Sequence, residues 1–294
     1  MVNSKIRKPD WLRKKIEYTP QRHRVKEILR ELNLNTVCEE ARCPNLSECF
    51  LRKRATFLIL GNKCTRACRF CSIAKAMKGE ILAVDPEEPK RVAEAIKKLG
   101  LKYVVITSVT RDDLDDGGAL HFAKTISAIR EIDKYINIEV LTPDFKGEKE
   151  SLNLVIEAKP DVFNHNVETI PRLYREVRPQ ADFERSLSVL KYVKTNSSTI
   201  FVKSGFMVGL GEKRDEVLDL LNRLSETGCD AVTIGQYLQP TAKNIAVKEY
   251  IKPEIFDFYK NEALKMGFKY IASGPFVRSS YMAHEGFNAL KNVI

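Results

Sequence analysis

From residue 56 to residue 236 the chain alternates between two patterns of apolar and polar positions. Short runs rich in Val, Ile, Phe and Thr read as buried strands, and longer stretches with apolar residues every three or four positions read as helices covering them. Runs at 55–60, 103–108, 138–141, 161–166, 200–208 and 230–235 predict six strands. Stretches at 90–99, 119–132, 148–158, 183–194 and 215–227 predict the intervening helices, the first stopped by Gly100. Strands alternating with helices imply a parallel sheet with right-handed crossovers. Six such units can curl into a partial barrel, and spacing alone also allows a flat, doubly wound sheet.

Outside this region, Val25, Ile28, Leu29 and Leu32 recur at helical spacing and predict a helix over 21–32. Trp11 reads as a buried anchor and His23 as a surface residue. The tail predicts a helix over 254–266 and a short strand at 270–271. Gly209 and Gly211 flank Leu210 in a pattern that permits a tight turn, too short to be a phosphate loop.

With 294 residues and 44% hydrophobic composition the chain can bury a full core. It has no run of 18 apolar residues and no apolar stretch behind the charged N-terminus, so neither a membrane span nor a signal peptide is expected, and a cytoplasmic location is. The 49 Lys and Arg outnumber the 39 Asp and Glu, concentrated at the N-terminus and at Arg52, Lys53 and Arg54. Such a face attracts polyanions or an acidic protein partner.

Cysteine usage changes the picture most. Six of the seven cysteines fall in two triplets, Cys38, Cys43 and Cys49, then Cys64, Cys68 and Cys71. In a reducing compartment this favours metal or cluster ligation over disulfides. The second triplet, Cys-x3-Cys-x2-Cys, leaves the C-terminal end of the first predicted strand, where α/β folds place their chemistry. Three thiolates can hold three corners of a cubane iron–sulfur cluster and leave the fourth iron open. Structural zinc normally takes four closed ligands in Cys-x2-Cys pairs. Cys229 stands alone and reads as a small buried residue at a strand entrance.

That spacing, with Phe70 before the last cysteine and a strand before the first, resembles the signature of the radical S-adenosylmethionine (SAM) superfamily. The resemblance implies a partial (β/α)6 barrel with N-terminal and C-terminal extensions, divided at 1–50, 51–250 and 251–294. It implies a 4Fe-4S cluster on Cys64, Cys68 and Cys71 whose open iron takes SAM. The first triplet and the tail motif Arg278, Ser279, Ser280, Tyr281 are similar to a sulfur-inserting branch of that superfamily. By that resemblance Cys38, Cys43, Cys49 and Ser280 hold an auxiliary 4Fe-4S cluster, with Ser279 the lesser choice. An oxygen ligand matches a soft cluster site less well than thiolate, so its corner is the labile one.

The implied reaction inserts two sulfurs at C6 and C8 of a protein-bound octanoyl chain. The implied partners are an octanoylated lipoyl carrier domain or protein and a ferredoxin- or flavodoxin-type electron donor, with no nucleic acid and no membrane. Position at strand ends and family similarity together nominate Thr107, Asn166, Glu168, Arg178 and Lys203 for SAM contact. Each has a plain structural alternative: Thr107 capping its strand, Asn166 and Glu168 fixing their loop, Arg178 in a surface ion pair, and Lys203 near a strand start. His165 reads as a satisfied core residue and His121 as a helix-surface residue. His284 lies either near the auxiliary site or in solvent.

The nearer rivals are other radical SAM sulfur-inserting enzymes of the biotin synthase or methylthiotransferase kind, disfavoured by the first triplet and the serine motif. A zinc or iron–sulfur nucleic-acid-binding protein is favoured by charge alone and lacks paired Cys-x2-Cys sets and an interleaved basic and aromatic stripe.

Overall fold

A computed structural model of the chain describes residues 7–14, 19–77, 80 and 83–292. The first six residues, part of the expected N-terminal extension and its basic excess, lie outside them. In chain order the strands are β1 (Asn35–Thr36), β2 (Thr56–Ile59), β3 (Lys63–Cys64), β4 (Ala74–Lys75), β5 (Tyr103–Ser108), β6 (Asn137–Leu141), β7 (Val162–Asn164), β8 (Phe201–Val208), β9 (Ala231–Gln236) and β10 (Tyr270–Gly274). The helices are α1 (Pro20–Glu31), α2 (Val37–Glu40), α3 (Leu46–Leu51), α4 (Glu88–Leu99), α5 (Ala119–Ile132), α6 (Lys149–Glu157), α7 (Tyr174–Val177), α8 (Phe183–Asn196), α9 (Arg214–Glu226), α10 (Pro253–Lys265) and α11 (Ala283–Lys291).

Eight strands form one sheet in the order β1-β2-β5-β6-β7-β8-β9-β10. Every pairing from β2 to β10 is parallel, and β1 lies antiparallel on the edge of β2. Neighbours in sequence are neighbours in space with no reversal of order, which is how a barrel winds; a doubly wound sheet reverses at a switch point. No described strand closes the ring from β10 to β1, so the barrel is partial. The six predicted strands are present. The short strand expected at 270–271 runs on to Gly274 as a seventh parallel strand, because pairing with β9 supplies partners that its own sequence does not advertise.

The strands are apolar almost throughout because helices cover their outer face; all six residues of β9 are buried. Helix α4 shows the local logic: Pro89 opens it, Gly100 at φ 67° ends it, and Val92, Ile96 and Leu99 face the sheet. Helix α11 turns back under the barrel, where Phe287 and Leu290 pack on Val162, Phe201 and Ala231 and plug the N-terminal ends of the strands. The opposite, C-terminal ends carry the second cysteine triplet.

Two expectations are corrected. Trp11 is 43% exposed, and its neighbour Leu12, fully buried, is the anchor of that short turn. His121 is buried on the inner side of α5, its Nε2 2.7 Å from Glu88 Oε2, which also accepts the Leu60 backbone N–H at 2.8 Å. Both follow from which side of a short element meets the core, a choice that one apolar or polar residue does not settle. His165 and Cys229 are buried as expected, and Gly209 and Gly211 take φ of 100° and 104° in a tight turn.

Candidate functional site

The barrel interior and its open side form one cavity of about 930 Å³, lined by all six clustered cysteines and by Ser280. The two triplets occupy different parts of it for reasons local to each.

The loop after β2 is tied down along its length. Thr110 N–H donates to Cys64 Sγ at 3.3 Å. Arg69 N–H donates to Val177 O, and Asn244 Nδ2 donates to Cys71 O at 2.9 Å. Between Cys64 and Cys68, Arg66 is 6% exposed and makes paired hydrogen bonds to Asp144 at 2.7 and 2.9 Å and to Asp112 at 2.7 and 2.9 Å. Burial alone would raise the Asp144 carboxyl, but its bonds to Arg66 outweigh that and hold it at about 2. The loop is therefore preorganised before any ligand binds. Arg66 and Asp112 went unnoticed in the sequence because an arginine inside a cysteine loop looks like any surface charge.

The first triplet is built from two short helices. Cys38 lies in α2, started by Thr36, and Cys49 lies in α3. Cys43 sits between them, its N–H donating to Cys38 O at 3.1 Å. The tail closes over this set: Asn45 Nδ2 donates to Phe276 O at 2.7 Å, and Tyr281 OH donates to Glu48 Oε1 at 2.8 Å. Lys14 binds both Asn45 and Glu48 and lies 5.0 Å from the ring centre of Phe276. Thr56 Oγ1 donates to Ser280 Oγ at 2.9 Å, and the same threonine is one of the groups that influence the Cys38 thiol. Gly235 lets the tail pass, since a Cβ there would stand 2.2 Å from Val277 O.

Burial pushes the thiols up, Cys38 and Cys71 to about 12 and Cys49 to about 11, and neighbouring cysteines add to the shift. Buried thiols grouped in this way ionise when a cationic metal centre offsets the mutual repulsion. Among the described residues no three His, Cys, Asp or Glu side chains converge to hold one metal ion. The thiolates of a cubane each take a separate iron, and each triplet offers three such thiols. The donor chemistry fits clusters.

Of the residues nominated for SAM, Thr107, Asn166, Glu168 and Arg178 line the cavity at the strand ends. Thr107 Oγ1 is engaged, donating to Leu141 O at 2.8 Å. Asn166 Nδ2 donates to Glu168 Oε1 at 3.0 Å, and Glu168 holds a φ of 66°, a strained backbone for a non-glycine. Arg178 is not in a surface ion pair: it is 8% exposed and donates to Asn166 O and Val167 O. Four buried polar atoms on this wall, Ser108 Oγ, Thr142 Oγ1, Asn166 Oδ1 and Arg178 Nε, have no hydrogen-bond partner among the described residues. A polar ligand would satisfy them, which fits SAM at this end.

Lys203 departs from the expectation. It is buried away from the cavity wall, and its ammonium is committed to Glu139 at 2.8 Å and to Ser279 O at 2.6 Å. His284 lines the cavity beside Arg54, whose Nη2 donates to its Nε2 at 2.9 Å.

A profile of the radical SAM superfamily matches residues 58–224, and one of the N-terminal domain of lipoyl synthase of that family matches residues 2–43. The lipoyl synthase of Caldicellulosiruptor saccharolyticus is 54% identical over 279 residues, covering 95% of this chain and 97% of the relative. The chain belongs to the lipoyl synthase family. A second lipoyl synthase, from Caldanaerobacter subterraneus subsp. tengcongensis, is 53% identical and covers 96% of this chain and 98% of its own. Membership makes the chain a radical SAM enzyme, with SAM and iron–sulfur chemistry and a lipoyl carrier protein as substrate. Among solved structures, methylornithine synthase (TM-score 0.54, 17% identity, 87% of this chain and 82% of that one) shares the fold. So does Streptococcus suis SuiB bound to S-adenosylmethionine (TM-score 0.57, 13% identity, 85% and 60%).

Proposed function

We propose that this lipoyl synthase family member inserts two sulfur atoms at C6 and C8 of a carrier-bound octanoyl-lysine, drawing the sulfur from an auxiliary 4Fe-4S cluster held by Cys38, Cys43, Cys49 and Ser280. A second 4Fe-4S cluster is held by Cys64, Cys68 and Cys71. With SAM bound at its open iron and one electron supplied, that site would provide radical chemistry able to take hydrogen from unactivated carbon. The observation that carries this reading is that both triplets and Ser280 face one cavity, so a chain inserted there meets the hydrogen-abstracting end and the sulfur-donating end without leaving it.

The chain's own residues divide the work. The Arg66 anchor holds the SAM-side loop rigid, and Asn166, Glu168 and Arg178 present polar atoms to the SAM-side wall. Thr56 and Lys14 hold the tail across the first triplet. Buried apolar walls such as Phe206, Tyr237 and Val109 keep water from the radical path. Ser280 offers the labile corner, since oxygen is the poorest match to iron–sulfur among the four donors. Extensions at 1–50 and 251–294 supply the auxiliary set and the barrel at 51–250 supplies the SAM set. The electron comes from a ferredoxin- or flavodoxin-type donor, and the basic excess attracts an acidic carrier.

The deciding experiment is anaerobic reconstitution with iron and sulfide, then incubation with SAM, reductant and an octanoyl-lysyl carrier. About eight irons per chain, as two cubanes require, together with a doubly thiolated product, are expected. One cluster alone, or SAM cleavage with no sulfur transfer, would overturn the reading.

A further inference from the structure

Two inward positions of the barrel, where aliphatic side chains are usual, hold opposite charges. Lys203 on β8 and Glu139 on β6 are 5% and 1% exposed, and Lys203 Nζ lies 2.8 Å from Glu139 Oε1. Asn164 Nδ2 donates to that same oxygen at 3.1 Å, and Tyr103 OH donates to Glu139 Oε2 at 2.5 Å. The carboxylate is thus held from three sides. A second bond from the Lys203 ammonium goes to the tail, to Ser279 O at 2.6 Å.

That carbonyl belongs to the peptide unit joining Ser279 to Ser280. Beyond it, the Ser280 hydroxyl accepts from Thr56 on β2. The peptide lies outside the regular helices and strands, in the turn between β10 and α11. A backbone bond from Tyr281 N–H to Arg278 O at 2.9 Å closes that turn, and of the side-chain bonds that hold the peptide within the barrel the buried ammonium on the carbonyl is the strongest.

A buried ion pair adds little stability over apolar residues of the same volume, because desolvation offsets the attraction. Its value here is geometric. We infer that Lys203, itself fixed by Glu139, is a positioning residue for Ser280: it clamps the Ser279–Ser280 peptide so that the hydroxyl stays at Thr56, on the cavity that the first triplet also lines, whether or not a cluster is present. A ligand that releases its iron and takes another in the next cycle must stay aimed while free, and rigid aim lowers the ordering cost of each rebinding. The inference rests on the proposed role of Ser280 as a ligand.

The test compares the wild type with Lys203→Met and with Lys203→Met/Glu139→Gln, as full-length chains. The single variant leaves a buried carboxylate without its cation and is at risk of unfolding. The double variant removes both charges; Gln keeps one acceptor oxygen for Asn164 and turns its amide NH2 toward the Tyr103 hydroxyl, which can rotate to accept, so it is the informative one. In the metal-free double variant, amide exchange across residues 278–282 is expected to rise at least tenfold with the strands unaffected. After reconstitution its auxiliary cluster is expected to lose iron and show an altered electron paramagnetic resonance spectrum, with SAM cleavage within twofold of wild type. Unchanged exchange at 278–282, or an auxiliary spectrum identical to wild type, overturns the inference. A Ser280→Ala chain with the wild-type auxiliary spectrum overturns the ligand assignment itself. The exchange measurement needs no cluster, so the two failures are told apart.

Discussion

Thr56 and Ser280 stand 224 positions apart in the chain, yet the threonine hydroxyl donates to the serine hydroxyl at 2.9 Å. The bond joins the first strand of the barrel to its last turn and brings an oxygen to the edge of the Cys38 set. Thr56→Val keeps the shape and deletes the bond. Urea unfolding of the metal-free protein should show a loss of about 1 kcal/mol, and lipoyl formation should fall while SAM cleavage holds. Equal lipoyl yield in the variant would show that Thr56 does not aim the serine.

Ser280 itself can be tested in two directions. Ser280→Ala should abolish lipoyl formation and leave SAM cleavage intact. Ser280→Cys supplies a softer donor, so the auxiliary cluster should resist chelators longer than in wild type and release sulfur less readily. Product analysis by mass spectrometry against 5'-deoxyadenosine yield separates the two functions.

Arg66 and Asp144 anchor the SAM-side loop. Arg66→Met removes both short bonds to the buried Asp144 and leaves it only Arg185 Nη1, 3.5 Å away, so it should cost about 3 kcal/mol, the low end for breaking a buried pair. The pair also has a pH signature. Asp144 is held at about 2 in the fold, below its ordinary 3.8, so its contribution is complete above pH 4 and disappears as pH falls through 2. Loss of loop protection in that window, read by amide exchange at 64–71, checks it; full protection at pH 2 would refute it.

His165 titrates in the opposite sense. Burial, then the Arg178 charge, lower it to about 4 from 6.5, and it stays neutral between Thr142 O and Ser186 Oγ. The unfolded chain takes up this proton first as pH drops. Stability should therefore fall from pH 6.5 down to pH 4, by at most about 1.4 kcal/mol per pH unit, and level off below. His165→Gln should flatten that stretch of the curve; an unchanged slope would point to another group.

Local pattern was enough for most of the architecture. The six strands and the helices between them were legible because burial on a sheet or a helix face repeats every two or every three to four residues. The Cys64, Cys68 and Cys71 set was legible because its cysteines share one loop, so spacing in sequence is nearly spacing in space. Trp11 and His121 were misread for the same physical reason: a single residue's polarity does not say which side of its element the core lies on.

The chain's sequence by itself determined the alternating elements, the two thiolate triplets and the tail motif, all of which depend on neighbours within a turn or a loop. Tertiary structure alone decided that Ser280 meets Thr56, and that Lys203 turns to Glu139 and the tail. A strand side chain changes face with a one-residue shift of register, and the tail reaches the first strand only because the sheet curls and stays open. Neither the register nor the curl is written in any short stretch of residues.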